Sequence, residues 1–158
     1  MDLKEGRTDK GLLTWDKRSS QQIEQICPGV TRMWLHKGQI VCYSVTTVAR
    51  PAVDAWMQAT HDLIHAWPRE QIYLSVHDIS EATLTPYIRN RTSITNKLMP
   101  KDLKGRSAVI VPRTFINQMI RLFVANELGR QNKSIQRDVF FRFEEAIEWL
   151  VRGIEPRK

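Results

Sequence analysis

Between residues 30 and 151, short runs of β-forming apolar residues alternate with stretches whose apolar residues recur at helical spacing. Few folds accept that order. It argues for an α/β domain in which helices cover the faces of a largely parallel sheet. The alternation opens with a hairpin: Met33 and Leu35 fall on one side, Arg32, Trp34 and His36 on the other, and Lys37-Gly38 supplies a tight turn. Residues 39–48 are apolar on both faces through Ile40, Val41, Cys42, Tyr43 and Val45, as in a strand covered on both sides.

Pro51 opens the first helical stretch, where Val53, Trp56, Met57, Thr60, Leu63 or Ile64, and Trp67 form a stripe that ends at Pro68. A strand of Ile72, Tyr73, Leu74 and Val76 follows and stops at Asp78. Ser80, Thr83 and Thr85 fill the elbow behind it, with Thr85 as an N-cap and Pro86 as the first residue of a second helix reaching Leu98. That helix is expected to turn Tyr87, Ile88, Ile94 and Leu98 inward. Ser107 to Val111 reads as a buried strand, residues 114–130 as a long third helix, residues 137–141 as a last strand and residues 144–151 as a last helix. The expected fold is a single α/β domain with a mostly parallel sheet, one antiparallel N-terminal strand and about four helices.

Composition fits one domain at residues 26–158, preceded by a flexible arm at 1–25 that is rich in charge, Ser and Gln. With 24 Lys and Arg against 17 Asp and Glu, the net charge is +7, which favours acidic partners in general. Two cysteines, Cys27 and Cys42, are too few for a disulfide scaffold, and the first ten residues lack the apolar core of a signal peptide, so the expected setting is cytoplasmic. No apolar run approaches the roughly 18 residues that span a bilayer.

Motifs for catalysis are missing: there is no Gly-rich phosphate loop, no Gly-x-Ser-x-Gly elbow and no Cys-x-x-Cys pair. His61 and His65 share a helix face but lack a third ligand, so no metal or other cofactor is expected. Lys97, Lys101, Lys104 and Arg106, with Arg89, Arg91, Arg157 and Lys158, read as a solvated basic face without specificity for nucleic acid. The strand ends could hold a small acidic or lipid-like ligand among Thr46, Asp78, Ser80, Thr85, Tyr87 and Arg113. The third helix has an apolar arc wider than one sheet contact needs, and its Ile120 and Val124 flank is a candidate interface for a second copy or another partner.

Over residues 30–151 the chain resembles the STAS domains, named for sulfate transporters and anti-sigma-factor antagonists. The element order carries the resemblance, with GRSAVIVP before a long helix and the closing segment RDVFFRFEEAIEWL, where a partly buried strand leads into an acidic helix start. The resemblance implies a regulatory module that acts by binding a partner protein, such as a kinase-like anti-sigma factor, or a copy of itself, without catalysis. It also implies phosphorylation at the start of the second helix. Where phosphorylated members of the family show Asp-Ser-Ser-Gly, this chain has Leu84-Thr85-Pro86-Tyr87, so by position the candidate phosphoacceptors are Ser80, Thr83 and Thr85.

Overall fold

A computed structural model of the chain describes residues 23–113, 123–128, 130 and 132–154. Its centre is a six-stranded mixed sheet in which sequence order and spatial order coincide. The strands are β1 (Glu24–Cys27), β2 (Val30–Leu35), β3 (Ile40–Val45), β4 (Tyr73–Asp78), β5 (Gly105–Ile110) and β6 (Ile135–Phe140). β1 and β2, and β2 and β3, pair antiparallel, and β3 to β6 are mutually parallel. Among the described residues there are three α-helices, α1 (Arg50–Ala66), α2 (Pro86–Lys97) and α3 (Phe143–Arg152), and a π-helical segment, Phe123–Leu128.

The β2–β3 hairpin turns as its sequence requires. His36, Lys37 and Gly38 all take positive φ, 52°, 56° and 82°. Only the last is free of a Cβ penalty, and Gly38 N–H closes the turn on the Leu35 carbonyl at 3.1 Å. One strand exceeds the expectation: β1 takes in Glu24 and Gln25, which the sequence assigns to the arm, and Arg32 on β2 holds Glu24 at 2.8 Å.

Alternation along the strands separates two cores. On one face Val41, Tyr43 and Val45 of β3 and Tyr73 of β4 pack under α1, with Val53, Trp56, Met57 and Ile64 turned inward. The inward stripe of α1 is the one its spacing announces. On the other face Cys42, Leu74, Val76, Ala108 and Ile110 are joined by Ala146, Ile147, Leu150 and Val151 of α3. Arg106 fastens that helix, donating to the Trp149 carbonyl at 2.7 Å and to Gln136 Oε1 at 3.0 Å while lying over the Trp149 ring.

α2 is rotated from its expected orientation. Ile88 is buried, but Ile94 and Leu98 are 39% and 56% exposed, and the inward positions belong to Ser93, Thr95 and Asn96. The cause lies across the fold. Asn96 Nδ2 donates to the Leu128 carbonyl at 3.0 Å, and its Oδ1 accepts from Arg137 on β6. Leaving those buried groups unpaired would cost about 1–3 kcal/mol each, enough to outweigh exposure of two aliphatic side chains on one helix. Of the long helix expected at 114–130, only 123–128 and Arg130 lie within the described residues, and the former is π-helical.

Candidate functional site

The parallel strands set side chains of neighbouring strands beside one another in rows across the sheet. On the face under α1 and α2, one row runs Val41, Ser75, Ser107, Arg137, and the next, two residues on, runs Tyr43, His77, Val109, Val139. Ser, His and Arg are therefore placed where strand periodicity normally puts core residues. Above them the helix layer does not close completely. It leaves a cavity of about 80 Å³, bounded by Trp56, Met57 and Thr60 of α1, Ile88 and Asn96 of α2, Phe123 and Leu128, and floored by His77, Ser107, Val109 and Arg137. That is room for roughly five to eight water molecules.

His77 is held by two aromatic neighbours. Its ring stacks on Tyr43 with centroids 5.2 Å apart and planes 6° from parallel, and Trp56 Nε1 donates to its Nδ1 at 3.1 Å. An indole N–H can only donate, so Nδ1 accepts and the neutral ring carries its proton on Nε2. Burial, with Arg137 adding repulsion, depresses the imidazole pKa to about 4. Beside it Ser75 Oγ donates to Ser107 Oγ at 2.8 Å.

Among the described residues Arg137 supplies the only charge lining the cavity at neutral pH, since no Asp or Glu is found there. Nη1 donates to the carbonyls of Asn132 and Ile135 at 3.2 and 3.1 Å, and Nη2 to Asn96 Oδ1 and, at 3.7 Å, to the thioether of Met99. Burial pulls its pKa down to about 10, which still leaves a cation at neutral pH. Among the described residues no carboxylate pairs with it.

The elbow behind β4 contributes to this cavity through Ile79, Leu84 and Ile88 rather than through its hydroxyls. Ser80 donates to Asp78 Oδ1 from both N (3.0 Å) and Oγ (2.6 Å), an Asx turn, while Thr85 caps α2 by accepting from Ile88 N–H at 3.1 Å. Thr83 is exposed. Tyr87 O–H donates to Asp54 of α1, and Thr46 N–H donates to the Gly29 carbonyl at 2.9 Å. The Arg113 guanidinium lies 5.0 Å from the Phe141 ring centre. These six edge residues are thus distributed among a turn, a cap, an interhelical bond, a loop and a cation–π contact, and none of them lines the cavity. Ile120 and the side chain of Val124 lie outside the described residues.

Of the polar residues that line it, His77 carried a signal in the sequence. Tyr73, Ser75 and His77 fall on one face of β4 at a spacing of two, and polar residues at two of three core-facing positions depart from the pattern of a packed core. Of the other candidates, His65 Nδ1 sits 2.9 Å from the His61 carbonyl oxygen, and among the described residues no three His, Cys, Asp or Glu side chains gather as metal ligands. Arg91 pairs with Asp54 at 3.1 Å and Arg89 lies over Phe123, so these basic residues serve the fold. No helix among the described residues is long and apolar enough to cross a membrane.

No family model, curated protein or solved structure matches the chain. The STAS resemblance therefore rests on element order and local segments.

Proposed function

We propose that this domain is a regulatory binding module, without catalysis, whose interior cavity between the α1–α2 layer and the sheet takes a small, largely apolar ligand. The carrying observation is the cavity: an apolar chamber with a few polar groups converging on its floor is the usual form of a small-molecule site. The site lies under the helices rather than on the outer edge of the strands. Binding is favoured over reaction because its groups are not paired for chemistry. His77 Nδ1 is occupied by Trp56, Ser107 accepts from another serine rather than facing a base, and burial pushes the Cys42 thiol on the opposite face up to about 12.

Indole is a suitable neutral probe of the chamber. Present at ten times its dissociation constant, it should stabilise the wild-type chain by about 1.4 kcal/mol, read as a rise in melting temperature. Val109→Phe, which fills the chamber from β5, should abolish that rise. A melting curve that indole leaves unchanged at saturating concentration contradicts the proposal.

The partner-binding reading that accompanies the STAS resemblance, including a kinase-like anti-sigma factor or a second copy, is favoured by one observation. Ile94 and Leu98, one turn apart at the C-terminal end of α2, stand 39% and 56% exposed. A monomer mass in light scattering, unchanged by Leu98→Asp, counts against self-association through this face.

A further inference from the structure

We infer that the ligand is a short monocarboxylic acid, its carboxylate taken by the Arg137 guanidinium inside the cavity and its apolar body lodged between Trp56, Ile88 and Phe123. This deepens the reading of the cavity as a ligand site and rests on it.

The guanidinium of Arg137 has five N–H groups in a fixed fork. Asn132 and Ile135 carbonyls take the two on Nη1, and Asn96 takes one on Nη2. The other Nη2 hydrogen meets only the sulfur of Met99, a weak acceptor, and Nε–H has no partner among the described residues. Nε–H and the neighbouring N–H of Nη2 lie on one side of the fork, parallel, at the spacing of the two oxygens of a carboxylate. The protein thus spends three guanidinium hydrogen bonds to oxygen on fixing its orientation and leaves Nε–H, beside Nη2, without an acceptor among the described residues.

Electrostatics selects the charge of the ligand. Among the described residues the cavity offers one cation and no acidic side chain, so one negative charge is balanced there, while the dianion of a phosphate monoester would bring a second charge into an apolar chamber uncompensated. The remaining polarity is muted. The hydroxyls of Thr60 and Thr92 donate back to carbonyls of their own helices, and the other neutral polar side chains that line the cavity, among them His77, Ser107, Tyr73, Thr95 and Asn96, bring no charge. Size sets the rest: a space for five to eight waters suits a ligand of roughly eight to ten non-hydrogen atoms, carboxylate included.

The test is calorimetric titration of the full chain near neutral pH with octanoate and benzoate, against octanamide and benzamide as neutral counterparts of the same shape. Each acid is expected to bind at least about tenfold more tightly than its amide, the factor that charge-assisted bidentate bonding supplies. Arg137→Met should bring the acid to the level of the amide, and Val109→Phe should remove binding of both. If acids and amides bind the wild-type chain alike, the carboxylate inference is overturned while the cavity reading stands. If neither they nor indole bind, both fall. An acid preference that survives Val109→Phe places the anion elsewhere and also overturns it. Should Arg137→Met fail to fold, the acid-to-amide ratio of the wild-type chain decides.

Discussion

Acidification from pH 6.5 to 4 is expected to remove about 3 kcal/mol of stability through His77 alone, as measured by urea unfolding at a series of pH values. The sign follows from where the proton goes. In the unfolded chain the imidazole takes up a proton near its ordinary pKa of 6.5, whereas in the folded chain burial and the nearby Arg137 delay uptake to about 4. Within that window the unfolded state binds more protons, so each step down in pH favours it. Stability from this group is complete above 6.5, declines as pH falls, and changes no further below 4. His77→Gln keeps an acceptor for the Trp56 indole and removes the titration, so the gap between wild type and variant should narrow steadily on acidification. Parallel curves would mean that the imidazole is not held dry under α1.

Gly105→Ala is expected to cost about 3–5 kcal/mol, among the largest effects a single methyl group can have in this domain. Gly105 opens β5 directly opposite Tyr73, the first residue of β4, and pairs with Ile135 on its other side. A Cβ at this position would stand 1.8 Å from the Tyr73 carbonyl oxygen and 2.6 Å from its carbon. Both are backbone atoms, so no rotamer can yield. Relief requires β4 and β5 to separate, at the expense of the 2.8 Å bond from Tyr73 N–H to the Lys104 carbonyl and of the Ser75–Ser107 contact. The strand displacement reaches the cavity floor, because Ser107 is the next residue of β5 on the same face. A urea midpoint within 1 kcal/mol of wild type, by the usual linear extrapolation, would show that the strand ends are looser than this packing requires.

What the sequence disclosed and what it withheld have a common physical origin. The stripe of α1, the two-faced strand β3 and the Ala146–Val151 face of α3 were legible because apolar residues at a regular period have only one economical destination. The same logic misplaced α2. It assigned Ile94 and Leu98 to the core and overlooked Asn96, whose burial depends on Arg137, a residue 41 positions away that no local pattern connects to it. The cavity was hidden for the same reason. His77, Ser107 and Arg137 sit on three strands, and only strand register brings them onto one floor. The elbow from Asp78 to Thr85 was visible as a turn and cap, and the hydroxyls of Ser80 and Thr85 are spent on those tasks, whereas its apolar Ile79 and Leu84 reach the chamber.

The most direct test of the cavity as a ligand site is a methyl-resolved NMR titration of the chain with indole. Ile64, Ile79 and Ile88 line the chamber, while Ile72 and Ile94 are 47% and 39% exposed and serve as controls in the same spectrum. Saturable shifts at Ile64, Ile79 and Ile88, with Ile72 and Ile94 unmoved, are the predicted result. Shifts confined to Ile72 and Ile94, or no shifts at any of the five, would contradict it.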